Sequence, residues 1–209
     1  MFPGSEAALM DGGFVSVSEA PAADPLEPLV RRVLAGEREA FETLVQRTEA
    51  RLLALAWRML GDRHLAEDAA QETYLRAYRS LASFRLGERF EAWLVRIAVN
   101  VCRDLARKRG PLPLPVDALD TLPGESSTLE AEEAALLDQR RALVQRALAS
   151  LPQGERAALV LRDLEGLTTE ETAHLLGVRP VTVRSQAAAA RAKVQAFCAR
   201  LLQSEGGRP

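Results

Sequence analysis

TEETAHLLGVRPVTVRSQAA, residues 169–188, is the run whose reading decides the fold. As two helices joined by a tight turn, it requires a small residue where the helices cross, and Ala173 stands there. The turn requires a positive φ, which Gly177 adopts without strain. Val183 then fits the second helix into the hollow left by the first. The residues just before, T-T-E-E at 168–171, form a capping box in which Thr168 accepts the amide three residues on and Glu171 reaches back. These features in register match a helix-turn-helix; an ordinary αα-hairpin is the other reading. Between Val178 and Phe197 there is no acid, whereas Arg179, Arg184, Arg191 and Lys193 are present. A second helix of that charge suits the major groove of DNA.

Moving towards the N-terminus, a shorter helix is expected after Pro152, stopping at Gly166. Before it, S-T-L-E from Ser127 to Glu130 is a second capping box. It opens a helix whose buried stripe is Leu129, Leu136, Leu137, Leu143, Val144, Ala147 and Leu148. The stretch GPLPLPVDALDTLPGESS, with four prolines, two glycines and no usable period, breaks the pattern completely. A linker of about 20 residues spans roughly 70 Å when extended, more than neighbouring helices need.

Upstream of that break, helical periodicity runs in blocks from near Pro28 to Arg109. One block has Phe41, Leu44, Val45, Leu52, Leu55, Ala56 and Met59 on its apolar face, with Gly61 as its stop. The next has Leu65, Ala69, Tyr74, Ala77, Tyr78 and Leu81. The last, WLVRIAVNVCRDLARKR at 93–109, places Trp93, Leu94, Ile97, Val101 and Leu105 on one side. No strand or internal repeat is evident. The expected architecture is all-α: a tail at 1–25, a helical domain at 26–109, a long acidic Pro-rich linker at 110–127, a helix-turn-helix domain at 128–203 and a short tail at 204–209.

The 209 residues carry a formal net charge of −2, but this is an average over unlike segments. Met1–Val30 and Gly110–Gln139 contain acids and no Lys or Arg, so the cations crowd into the helical domains. Apolar residues make up 47 %, enough for a core, and are mainly Leu and Ala, which favour helices. Two distant cysteines, Cys102 and Cys198, suggest neither a disulfide framework nor a zinc site and fit a reducing cytoplasm. There is no run long enough to span a membrane, and the N-terminus lacks the pattern of a signal peptide. His64 and His174 stand alone, and no phosphate loop, HExxH or nucleophile elbow occurs. Neither catalysis, a metal, a cofactor nor a small-molecule substrate is expected.

Two polar stripes stand out. Arg96, Asn100, Arg103 and Arg107 recur at steps of four, three and four, opposite the apolar side of their helix. They could be a solvated face, and cations also suit a helix C-terminus. Arginine, however, forks onto phosphates, and asparagine can read an adenine edge. Just upstream, Phe84 and Phe90 offer rings for an unstacked base. The second stripe, Asp68, Gln71, Glu72 and Leu75, sets acceptors around one apolar side chain; periodicity alone favours a solvated face.

With these motifs in order, the chain resembles the bacterial sigma factors of the sigma-70 family, specifically the compact extracytoplasmic-function (ECF) group, from about Ala35 to Leu201. AEDAAQETYLRAYRSLASFR is similar to the family's core-polymerase-binding helix, RFEAWLVRIAVNVCRDLARKR to the segment that melts and reads the upstream DNA element, and LPQGERAALVLRDLEGLTTEETAHLLGVRPVTVRS to its C-terminal helix-turn-helix. The resemblance implies that Asp68, Gln71, Glu72 and Leu75 dock on the clamp helices of the polymerase's largest subunit. It puts Ser83, Phe84, Arg85, Arg96, Asn100, Arg103 and Arg107 at the minus-ten element. Arg179, Thr182, Arg184, Ser185 and Gln186 fall at the minus-thirty-five element. The second-largest subunit's flap and an anti-sigma factor are further implied partners, and the linker would cross the active-centre cleft with its acids mimicking a nucleic-acid backbone.

One run departs from the family's pattern. After Ser185, relatives carry a second cation, an aliphatic residue and a third cation; this chain has QAAAA. A weak minus-thirty-five contact is therefore expected, with discrimination shifted to the minus-ten segment. The alternative is that Ala187–Ala190 form a close helix-packing or partner surface. An autonomous helix-turn-helix regulator, or a module that binds partner helices, are the competing functional readings.

Overall fold

A computed structural model describes residues 24–109 and 128–205. Among these residues every regular element is helical: α1 (Glu27–Leu34), α2 (Glu39–Leu60), α3 (Arg63–Ser80), α4 (Phe90–Arg109), α5 (Thr128–Ala149), α6 (Gln153–Leu159), α7 (Thr169–Leu176) and α8 (Pro180–Glu205). The proposed linker, and the capping box expected at Ser127, lie outside the described residues.

In the first half, α2, α3 and α4 pack against one another and α1 closes over α2. The seams are lined by small side chains: Ala40, Ala56, Ala66, Ala69, Ala70, Ala77 and Ala98 are all buried, which lets the helix axes approach closely. Leu44, Leu55, Phe90 and Val99 fill the space between them with no exposure. Burial of each such side chain contributes roughly 1.5–3 kcal/mol. Thr48 is buried on α2, with its hydroxyl 2.7 Å from the Leu44 carbonyl and 2.9 Å from the Tyr74 hydroxyl on α3, so the polar atom costs little.

The helix ends follow the sequence signals. Gly61 ends α2 at φ 69°, its N–H donating to the Trp57 carbonyl at 2.7 Å. Asp62 then caps α3 by accepting the Leu65 N–H at 3.0 Å. Asp24, assigned to the tail by sequence, belongs to the folded part. Its carboxylate accepts the N–H groups of Leu26 and Phe90, fastening the start of the chain to the start of α4. Glu27 similarly accepts the Gly87 N–H at 3.1 Å.

The second half is built on α6 and α8. A widened π turn (Val160–Leu164) continues α6, with the Glu165 N–H reaching back to the Val160 carbonyl, and Gly166 at φ 73° ends the run. Thr168 and Glu171 form the expected capping box. Ala173 and Val183 are buried at the crossing of α7 and α8, and Gly177 makes the turn at φ 64°.

Two expectations about core faces fail. On α5, Ala147 and Leu148 are buried but Leu143 and Val144 are exposed; Leu129, Leu136 and Leu137 lie outside the described side chains. Among the described side chains of the α5 stripe, cover is therefore confined to Ala147 and Leu148. On α3, Tyr78 lies outside the core and instead meets Phe41 edge to face, with ring centroids 4.9 Å apart. Its long ring lets it cross the rim of the seam rather than enter it.

The halves touch. Elements α6, the π turn and α7 lie against α2 and α4. Arg156, only 4 % exposed, donates to the Ala149 and Leu151 carbonyls at 2.8 and 3.2 Å, where it neutralises the C-terminal end of α5. No carboxylate among the described residues pairs with it, and burial pulls its pKa below the usual arginine value.

Candidate nucleic-acid interface

The arginine stripe of α4 exists as a stripe, but its members differ in state. Asn100 is exposed, with no hydrogen-bond partner among the described residues. Arg96 is exposed and reaches back to Glu88 at 2.8 Å. Arg107 pairs with Asp104 one turn away at 2.6 Å. Such exposed pairs hold by about 0–1 kcal/mol, so both guanidinium groups can exchange a carboxylate for a phosphate. Arg103 is half-buried, and its Nη1 donates at 2.6 Å to the carbonyl of Leu175 in α7.

The rings upstream do not form a stacking platform. Phe84 and Phe90 are buried and meet each other and Trp93 at centroid distances of 5.4–5.8 Å. Burying these large rings in one three-ring cluster is worth more than leaving them in water, so the expectation of a stacked base on Phe84 is corrected. Ser83 and Arg85, which flank Phe84, are exposed. The loop offers polar contacts around an aromatic anchor.

On α3, Asp68, Gln71 and Leu75 are exposed. Asp68 has no ionic partner among the described residues. Leu75 is 52 % exposed, and Tyr78 lies three residues on, giving the acceptor stripe an apolar edge. Glu72 differs: it accepts from Arg76 Nε at 2.6 Å, and Arg76 also contacts Asp104 of α4 at 3.4 Å. The Glu72 hydrogen bond, with Asp104 behind it, raises the Arg76 pKa. A charged stripe with an exposed leucine and tyrosine is more than a solvated face needs.

In the helix-turn-helix, Arg179, Arg184 and Ser185 are exposed and Thr182 is half-buried. Arg179 and Arg184 have no ionic partner among the described residues, whereas Arg191 forms a two-pronged pair with Asp163 at 2.7 Å and Lys193 reaches Glu155 at 2.7 Å. The acid-free stretch from Val178 to Phe197 is thus basic at its start and neutralised at Arg191 and Lys193. Gln186 is turned inward: its amide lies 2.6 Å from where a Cβ on Gly154 would be. Ala187 and Ala190 are fully buried against the same half, Ala189 is half-buried and Ala188 exposed. Close packing therefore accounts for two of the four alanines.

Glu171 ties the capping box to this surface. Its carboxyl is held below the usual range by the Thr168 hydroxyl, then the Thr168 N–H, with Arg96 of α4 adding a small pull from across the halves. Cys102 is buried, its thiol pushed up to about 12 by desolvation, and is unreactive as a thiolate. Among the described residues no group of His, Cys, Asp and Glu could hold a metal, and no helix is long and apolar enough to cross a membrane.

Sequence reasoning missed the cluster between the halves. Glu165, at the end of the π turn, has a side chain only 5 % exposed and lies 3.2 Å from Arg58 and 3.4 Å from Arg51, both on α2. Arg51 also pairs with Glu91 of α4. The one available signal was the seven-residue spacing of Arg51 and Arg58, which puts both on one face of α2. A lone Glu before a glycine gives none.

Residues 44–111 match the family model for Sigma-70 region 2, and residues 141–194 match that for Sigma-70, region 4. The RNA polymerase sigma-H factor of Pseudomonas aeruginosa is 36% identical over 184 residues, covering 85% of this chain and 95% of the relative. The ECF RNA polymerase sigma-E factor of Escherichia coli is 37% identical over 172 residues, covering 78% and 88%. Among solved structures, CnrH in complex with the cytosolic domain of CnrY superposes with a TM-score of 0.54 at 29% identity, covering 83% of this chain and 97% of CnrH. RpoE of Bartonella quintana, in complex with the anti-sigma factor NepR, shares the fold with a TM-score of 0.56 at 24% identity, covering 76% and 96%.

Proposed function

The chain belongs to the sigma-70 family, in its extracytoplasmic-function group, and from that premise we propose that it is a promoter-specificity subunit of RNA polymerase. It binds the core enzyme, directs it to promoters and helps to open the DNA, and it performs no chemistry of its own. It works where the polymerase works, in the cytoplasm.

The observation that carries this reading is the pairing, in one chain, of an exposed acceptor stripe with an apolar edge on α3 and a helix-turn-helix whose Arg179 and Arg184 lack ionic partners among the described residues. Asp68, Gln71 and Leu75 dock on the clamp helices of the largest subunit, with Glu72 contributing once Arg76 is displaced or bridged. The α4 stripe faces the minus-ten element: Arg96, Arg103 and Arg107 hold phosphates while Asn100 reads a base edge. Ser83 and Arg85 contact the opened strand beside the buried Phe84. Arg179, Thr182, Arg184 and Ser185 enter the major groove at the minus-thirty-five element, while Gln186 serves packing. Residues 26–109 and 128–203 act as the two DNA-reading domains, and the flap of the second-largest subunit supports the second. An anti-sigma factor is a further partner.

Run-off transcription with purified bacterial core polymerase over genomic fragments tests the reading. Defined start sites above those of core alone are expected. Sequence-specific binding of the isolated chain to duplex promoters, with no start sites on adding core, would replace it with an autonomous regulator.

A further inference from the structure

Val181, the second residue of α8, is 54 % exposed, the most exposed large apolar side chain among the described residues. Its direction is fixed by its neighbours. At about 100° per residue, Val181 and Ser185 each stand about 160° round the helix from Val183, and Ala188 about 140°. Val183 is fully buried at the crossing with α7, so these three side chains point away from the protein. We propose that Val181 reads the C5 methyl group of a thymine in the minus-thirty-five element. The inference rests on the sigma reading for that element and deepens it by naming what the helix recognises there.

Helices of this motif meet base edges with their N-terminal residues. In the major groove the thymine methyl is the one apolar feature; the other groups that distinguish base pairs are donors and acceptors. The outward face of α8 is poor in donors. The Ser185 hydroxyl already donates to the Thr182 carbonyl at 3.0 Å, which leaves it an acceptor towards the groove. Ala188 brings only a methyl group. Arg179 and Arg184 stand two residues before Val181 and three after it, exposed and without ionic partners among the described residues. They can hold phosphates or base acceptors on either side and so fix the register of the valine between them.

The valine is also held ready. The Arg179 carbonyl accepts the N–H groups of Thr182 and Val183 at 2.9 and 3.3 Å, closing the first turn around Val181. A β-branched side chain on a helix keeps largely one rotamer, so little freedom is lost when it meets the DNA. In the free chain its methyl groups lie in water; against a thymine they are covered.

The test uses the full chain with core polymerase and the genomic duplex fragments that this holoenzyme retains. Thymidines of the minus-thirty-five element, on either strand, are replaced one at a time by deoxyuridine, which pairs identically and lacks only the methyl group. Wild type is expected to lose affinity about fourfold at one position, the worth of a single methyl group taken out of water. Val181→Ala and Val181→Ser are each expected to bind the thymidine duplex about that much more weakly, with no further loss on deoxyuridine. Neither substitution removes a charge, so the salt slope stays that of wild type. Alanine favours the helix and serine suits its first turn, so the pair guards against a folding defect in either. Equal wild-type affinity for thymidine and deoxyuridine at every position overturns the proposal, and so does a thymidine preference that survives both substitutions. Weaker core binding by the variants, with that preference intact, also overturns it and makes Val181 a polymerase contact. The sigma reading fails separately: if core gives neither retention nor start sites, fragments bound by the chain alone carry the same replacements, and the methyl test still decides.

Discussion

The Arg156 guanidinium occupies space that a side chain at Gly61 would need: Nη1 lies 2.7 Å from where a Cβ would be. Gly61 is thus required twice, once for its φ of 69° and once for its missing side chain. Gly166 has a similar φ of 73° but nothing within 4 Å of its Cβ position. The two glycines therefore separate backbone strain from crowding.

Gly166→Ala should cost only the left-handed backbone penalty, about 1–2 kcal/mol. Gly61→Ala should cost that plus roughly 1–3 kcal/mol from disturbing the hydrogen bonds of a buried guanidinium. Urea denaturation of the two variants checks the difference. Equal losses would mean that Arg156 swings aside without consequence.

The acceptor stripe on α3 gives a prediction that discriminates among its members. Asp68 has no ionic partner among the described residues, so Asp68→Lys should leave the fold unaffected while weakening core binding, by about 2–5 kcal/mol if the contact is desolvated. Glu72→Lys also breaks the Arg76 pair, an exposed contact worth about 0.3–0.5 kcal/mol. Core affinity and thermal melting measured on both variants should separate: a large affinity loss for each, a small stability loss for Glu72→Lys alone. Unchanged core affinity in the double variant would return the stripe to a solvated face.

Much of this layout was legible in the sequence because the signals are local. Gly61, the Thr168–Glu171 box, Ala173, Gly177 and Val183 each obey a rule that operates within one or two turns. What escaped was decided by contacts distant along the chain. Tyr78 and Val144 fall on apolar stripes by periodicity, yet whether a neighbour covers them depends on where other helices lie. Phe84 reads as a surface ring because a loop surrounds it; its burial follows from Phe90 and Trp93 arriving with α4. The Glu165 cluster joins residues more than a hundred positions apart, and no period links them. The candidate sites fared likewise: the stripes were visible, but not the fact that Arg103 is already engaged.

For α4, that engagement shapes the expected mutational pattern. Arg96→Ala and Arg103→Ala should each flatten the salt dependence of open-complex formation by about one unit of slope. In the free chain they should differ, because Arg103→Ala also removes a contact between the halves. Asn100→Ala should relax base preference at one minus-ten position and leave the salt slope alone. Open-complex assays over a salt series, using promoters varied at that element, provide both readouts. Identical slopes for wild type and the double arginine variant would sink the phosphate role.

The QAAAA run yields the last prediction, because the structure divides its four alanines between two duties. Ala187 and Ala190 are fully buried where α8 packs on α6, and Gln186 lies over Gly154. A larger side chain at Ala187 must push the helices apart, so Ala187→Leu should lower stability by about 1–3 kcal/mol. Ala188 is exposed and stands one helical turn beyond Arg184, on the same face. Alanine there preserves the helix but offers a phosphate nothing. Ala188→Arg should leave stability within about 0.5 kcal/mol of the parent. In the holoenzyme it should tighten binding to minus-thirty-five DNA and steepen its salt slope by about one unit. Ala189, half-buried, should respond less well to the same change, since a guanidinium there competes for space with the packed seam. Melting temperature and promoter affinity measured on each variant decide the matter. A less stable Ala188→Arg protein with no gain in affinity would assign the exposed alanine to a partner surface and leave the minus-thirty-five contact to Arg179 and Arg184.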